Sequence, residues 1–131
     1  MGKHLFDHEK LNVYQEALKF ISWWSNLKKE KELKNPVNGQ PDRSSESIVL
    51  NIAEGNGRYT AKDKCRFFDI SRASALETSS ALDILVAQEK LSENDIIEGK
   101  IILKNVVSML IGLIKSKTNR VYDIEEQYNV E

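Results

Sequence analysis

The stretch Ile48-Val49-Leu50-Asn51-Ile52-Ala53-Glu54-Gly55-Asn56-Gly57-Arg58-Tyr59-Thr60-Ala61-Lys62-Asp63 decides the architecture. Its first half pairs Ile48 with Ile52 and Val49 with Ala53 at the i, i+4 spacing of a helix face. Gly55-Asn56-Gly57 follows, and these residues tolerate the left-handed conformation that closes a helix. Thr60 then stands three residues before Asp63, the spacing at which a hydroxyl caps the first turn of a new helix. A helix, a stop and a fresh start in so few residues predict a helical hairpin.

Helical spacing continues on both sides, and strand alternation is hard to find. A first helix is expected over about 8–29, with Leu11, Tyr14, Leu18, Ile21 and Ser25 stepping by three and four. Asn35-Pro36-Val37-Asn38-Gly39-Gln40-Pro41 interrupts it. The second helix is expected over 42–54 and the third over 60–90. Ser92 with Asp95 repeats the capping signal and opens a fourth helix over 93–118. Residues 119–131 mix aromatics with four acids and are expected to be loosely ordered. Short links between four helices predict a single all-α domain over 1–131, an antiparallel up-and-down four-helix bundle.

Composition removes several classes. The chain has 131 residues, 40% apolar and 30% charged, with one cysteine and a net charge of -1. One cysteine leaves no internal disulfide, and a balanced charge gives no global pull toward phosphate or membrane. The start, Met1 to His8, lacks the apolar stretch of a signal peptide, and Val106–Ile114 falls short of a bilayer span. A cytoplasmic protein with no membrane contact is expected.

Helix 1 is apolar around too much of its circumference. Residues from Leu11 through Phe20, Trp23, Trp24 and Leu27 fill an arc of roughly 240°, against the ~100° that one core needs. Helix 4 behaves likewise, with Ile102, Leu103, Val106, Met109 and Leu110 among its apolar residues. One explanation is that each helix touches two neighbours within the bundle. The other is that the outer parts of both helices are subunit interfaces, since large exposed apolar patches mark contact sites. On the second, Phe20, Trp23, Leu27, Ile102 and Met109 are the expected interface and the chain associates with itself. Serines on helix 2 (Ser44, Ser45, Ser47) and helix 3 (Ser71, Ser74) meet if the hairpin folds about Arg58, which sets residue 44 near 72 and residue 47 near 69. The alternative is that they are solvated surface serines.

Catalytic patterns fail on geometry. Glu54 and Glu77 invite an acid/base reading, but the hairpin separates them by on the order of 20 Å. They read better as structural ion pairs, Glu77 with Arg43 and Glu54 with Arg58 or Lys62. Asn51 reads as a buried amide that fixes packing through its hydrogen bonds. Gly55-Asn56-Gly57-Arg58 lacks the Gly-Lys-Ser/Thr of a phosphate loop and follows a helix, so it reads as a cap. His4 and His8 have no third ligand, and Cys65 has no His partner. No catalytic residue, metal or cofactor is expected, and the chain is read as a non-enzyme.

Basic residues remain. From Asn56 to Ala75 there are five (Arg58, Lys62, Lys64, Arg66, Arg72) against the acids Asp63 and Asp69. Arg58, Lys62 and Arg66 recur every four residues along one stripe. A ring of subunits would multiply that stripe into a collar able to follow a phosphate backbone. The alternative is a solvated face paired with its own acids.

Asn51-Ile52-Ala53-Glu54-Gly55-Asn56-Gly57-Arg58, with Phe67-Phe68, Ala75-Leu76-Glu77 and Val13-Tyr14-Gln15-Glu16-Ala17, resembles the 23S rRNA intervening-sequence protein family. Arg43 falls on the arginine that precedes the family's Asn-Ile-Ala-Glu-Gly stretch. The resemblance implies a four-helix protomer, often in a five-membered ring, with Arg43, Asn51, Glu54, Gly55, Gly57 and Glu77 as its structural motif. It also implies kinship with the accessory variability protein of diversity-generating retroelements, which binds reverse transcriptase and RNA. Asp42, Glu46 and Val49 depart from the pattern: the two acids lower the positive charge of helix 2, and Val49 stands where the family tends to carry a proline. The expectation is a non-enzymatic, self-associating scaffold or adaptor that docks a protein partner through its helical faces. An accessory protein binding RNA or DNA through Arg58, Lys62, Lys64 and Arg66 is the alternative.

Overall fold

In the computed structural model, the structure describes residues 4–34 and 40–117. A 3-10 turn, Asp7–Lys10, precedes four helices: α1 Asn12–Glu30, α2 Gln40–Asn56, α3 Ala61–Ala87 and α4 Glu93–Lys117. The segment 119–131, expected to be loosely ordered, lies outside the described residues.

Helix ends follow from local chemistry, and several differ from expectation. α1 does not begin at His8. Glu9 accepts the backbone N–H groups of Leu5 and Phe6 at 3.1 and 3.3 Å, capping a separate turn, and Leu11 is extended before Asn12. α2 starts at Gln40, with Pro41 in a first turn where a missing N–H costs no helical bond. Thr60 and Ser92 cap α3 and α4 as read from the sequence. Thr60 accepts from the Asp63 N–H at 3.1 Å, while Ser92 and Asp95 exchange bonds at 2.8 and 3.1 Å.

The left-handed caps are not at Gly55 or Gly57, neither of which has a positive φ. They are at Glu32 (φ 52°) and Glu89 (φ 61°). After α1, Leu33 N–H reaches Lys28 O and Glu32 N–H reaches Lys29 O. After α3, Lys90 N–H reaches Leu85 O and Glu89 N–H reaches Val86 O. Each is the paired closure of a Schellman motif, and the second ends α3 at Ala87 rather than Lys90.

α1 and α3 each pack against α2 and α4. Every neighbouring pair is antiparallel. Along α2 and α3, Ser44 meets Thr78, Ser47 meets Ser74 and Ile48 meets Ser71. On α3 and α4, Cys65 reaches Ile114 while Ser79 reaches Lys100. Glu16 meets Asn105 and Trp23 lies on Gly99 between α1 and α4. Trp24 meets Asp42 near one end of the α1–α2 seam, and Asp7 meets Asn56 at the other.

The serine-rich faces of α2 and α3 do meet, in a register set nearer Thr60 than Arg58. Ser44 therefore faces Thr78 instead of residue 72. Ser44, Ser45, Ser71, Ser74 and Thr78 are all buried, and small side chains let the two backbones approach. Their hydroxyls are bonded along the seam: Thr78 to Ser44 at 2.7 Å, Ser47 to Ser74 at 2.8 Å, Ser71 to Ile48 O at 2.8 Å. No buried side-chain donor or acceptor among the described residues lacks a partner.

The hydrophobic core overturns most of the expected interface. Phe20 (0% exposed), Leu27 (6%) and Ile102 (2%) lie inside the protomer. α1 and α4 each bury two flanks against two neighbours, which accounts for the α1 arc but leaves part of the α4 arc outside the core. Trp23 and Trp24 both pack inward, with ring centroids 6.4 Å apart. Trp24 is buried, and Trp23 is half-buried over Gly99. Of the five residues, Met109 at 37% and the half-buried Trp23 keep open surface. The exposed apolar surface lies elsewhere: Leu50, Tyr59, Ile70, Leu76 and Ile84 on the α2–α3 side, and Ile97, Ile101 and Ile111 on α4.

Candidate functional site

The α2–α3 tip gathers most of the residues singled out in the sequence. Gly55 is buried inside the last turn of α2, where a β-carbon would stand 2.9 Å from the Phe68 ring and 3.1 Å from Lys64 O. It is a close-approach glycine, which explains both why the site can be tight and why it is not a cap. Gly57 meets no comparable crowding.

Four basic residues were expected as nucleic-acid contacts, three of them (Arg58, Lys62 and Arg66) along one stripe, and they have different roles. Arg58 pairs with Glu54 at 2.7 Å, both about half exposed. Its guanidinium also lies 4.4 Å from the centroid of Phe67, with Arg66 on the same ring at 5.4 Å. Lys64 donates to Asn56 O at 2.7 Å and so satisfies a terminal carbonyl of α2. Lys62 is exposed and has no ion pair among the described residues. Arg58 and Lys64 thus have hydrogen-bond partners, whereas Lys62 and Arg66 are exposed and, among the described residues, form no ion pair, Arg66 touching only the Phe67 ring.

Beside them, Leu50, Ala53, Glu54, Gly57, Arg58, Tyr59, Thr60 and Asp63 line an open hollow. Tyr59 is fully exposed and Leu50 is 66% exposed. Sequence periodicity did not find this pair, because a turn tyrosine and an outward helical leucine leave no repeating signal.

The remaining motif residues are structural in more modest ways than expected. Asn51 is half-buried and donates to Ser47 O at 2.9 Å and to Ser47 Oγ at 3.1 Å, within its own helix. Arg43 and Glu77 are both exposed and, among the described residues, form no ion pair with each other. The register sets them at about the same height, but their side chains do not meet. Asp42, a departure from the expected pattern, accepts the Trp24 indole N–H and pairs with Lys28 at 2.7 Å.

No group of three or more His, Cys, Asp or Glu side chains capable of holding a metal occurs among the described residues. His8 packs edge-on to Tyr14 with centroids 4.8 Å apart, and the Cys65 thiol points to Ile114 O at 3.7 Å. The arrangement offers paired charges, exposed aromatic and aliphatic groups, and an open hollow: recognition chemistry.

The family described as 23S rRNA-intervening sequence protein matches residues 9–112. The chain belongs to that family. The match runs from the 3-10 turn well into α4, so it spans all four helices of this 23S rRNA-intervening sequence protein family member. A solved structure from Bacteroides thetaiotaomicron, described as a protein with unknown function from the S23 ribosomal protein family, has a TM-score of 0.70. It is 22% identical, and the likeness covers 79% of this chain and 98% of that one. At that identity the likeness establishes the fold of the family member. Among curated proteins nothing matches. Among the described residues, no helix is long and apolar enough to cross a membrane.

Proposed function

We propose that this chain is a non-enzymatic helical scaffold or adaptor of the cytoplasm that works as a homo-oligomer. The observation that carries the reading is the outer stripe of α4. Ile97, Ile101, Lys104, Ser108 and Ile111 recur at spacings of four and three, the seam along which one helix docks on another. Ile97 is 59% and Ile101 55% exposed after the core has been filled. Isoleucines so placed lose their contact with water when another protomer covers them, at about 25 cal/mol per Å² of apolar area. A five-membered ring is the stoichiometry that the family resemblance suggests. The interface moves accordingly, from Phe20, Leu27 and Ile102 to the α4 stripe, with Met109 near its edge.

Substituting Ile101→Lys tests this. The expected result is loss of the assembled species with far-UV helicity unchanged, because Ile101 contributes little to the core. An unchanged native mass would remove the stripe from the interface.

A second reading rests on Lys62 and Arg66, which face outward beside the exposed Tyr59. Together with the 23S rRNA in the family's description, they favour contact with RNA through phosphate pairing and base stacking, in the manner of an accessory protein. Gel shifts with RNA over a salt series test it. Binding should weaken steeply as salt rises, and no shift at low salt would eliminate it.

A further inference from the structure

On the α1–α4 side, away from the hairpin tip, a hollow of about 420 Å³ lies over the indole of Trp23. The ring is fixed from several directions. Gly99 leaves the space beneath it, Phe20 lies 5.4 Å away between centroids, and Trp24 lies 6.4 Å away. Trp23 nevertheless stays half-buried, so part of the ring reaches the hollow. Glu30 from the end of α1 and Glu98 from α4 stand on its walls, with Ser22 and Asn26 between. Neither glutamate forms an ion pair among the described residues, although Lys19 lines the same hollow.

We propose that this hollow binds an arginine side chain presented by a partner protein. A guanidinium stacks on an indole face and is attracted by its negative π cloud. It is also weakly hydrated and planar, with donors that suit carboxylates. Two unpaired carboxylates at the rim of a fixed indole match both properties, and Ser22 and Asn26 supply neutral hydrogen-bonding groups. The volume falls within the usual range for small-ligand sites, roughly 300–1,000 Å³. Glu98 follows Ile97 of the proposed α4 seam, so the peptide titration is run on both the parent chain and the Ile101→Lys variant, which reads the hollow separately from self-association.

The test uses the full chain labelled with ¹⁵N and acetyl-Gly-Arg-Gly-amide as probe. The Trp23 indole cross-peak should shift saturably. That of Trp24, whose N–H is held by Asp42, serves as the control and should stay in place. The citrulline counterpart, isosteric but uncharged, should bind roughly tenfold more weakly. The double variant Glu30→Gln/Glu98→Gln should weaken the arginine peptide by a similar factor while its spectrum remains that of a folded chain. Methylguanidine should bind more weakly than the peptide. The proposal is overturned if Trp23 does not respond, if citrulline binds equally, or if the double variant binds as the parent does. Methylguanidine binding as tightly as the peptide would instead assign the hollow to small free cations and overturn the protein-partner assignment.

Discussion

Gly99 of α4 and Trp23 of α1 share one site: the indole lies where a β-carbon at Gly99 would stand. Glycine inside a helix costs about 1 kcal/mol relative to alanine, so α4 carries a local penalty that the seated ring offsets. Gly99→Ala should therefore destabilise the fold despite its better helix propensity, by roughly 1–3 kcal/mol through overpacking. Urea unfolding measures the loss, and tryptophan emission should move to the red as the ring is displaced. A stabilised variant would mean that Trp23 can leave its seat freely.

Asp42 joins α1 to α2 by accepting the Trp24 indole N–H and pairing with Lys28. Asp42→Ala leaves a buried donor without its partner and should cost about 1–3 kcal/mol. Asp42→Asn should lose less, because the amide oxygen still accepts from Trp24. Urea midpoints for the two variants check the order.

Glu89 holds a left-handed conformation (φ 61°) that disfavours any side chain with a β-carbon. Glu89→Gly should stabilise the protein by up to ~1 kcal/mol, the relief of backbone strain exceeding the added freedom of the unfolded glycine. Thermal and urea unfolding measure it, and a loss of stability would mean that the glutamate side chain contributes to the cap.

Asp95 accepts the Ser92 backbone N–H at 2.8 Å, with the Lys31 ammonium 3.3 Å away. The Ser92 bond, helped by Lys31, holds its pKa below the ordinary 3.8. A carboxyl depressed on folding adds stability above its unfolded pKa, and the contribution is lost as pH falls through the folded value. The carboxyl carbon of Asp95 should titrate with a midpoint below 3.8 in NMR spectra. Asp95→Asn should flatten the acid limb of the stability profile. A midpoint at or above 3.8 contradicts the cap geometry.

Much of the fold was legible because its signals are local. Thr60 and Ser92 announce their helices through residues three positions away, and the spacing of Ile48 and Ile52 marks a core face. Gly55 was misread for a physical reason: a glycine near a helix end satisfies equally a need for positive φ and a need for close approach. Only the Phe68 ring against it separates the two. The same limit applies to α1. A wide apolar arc in sequence does not tell a helix with two neighbours from one with a neighbour and a partner, and the burial of Phe20 and Leu27 decides it. The candidate site was half legible. Glu54 was read as pairing with Arg58 or Lys62, and Arg58 is its partner, whereas Lys64 was read as a nucleic-acid contact because its true acceptor, a backbone carbonyl, has no sequence signature. Tyr59 and the α4 stripe emerged only once the core had claimed the other apolar residues.

The central claim, self-association through apolar surface that the core leaves uncovered, is tested most directly by the native mass of the purified chain. Multi-angle light scattering over a range of concentrations should give a multiple of the 15.0 kDa protomer. A mass of 15.0 kDa that persists at the highest concentration would contradict it.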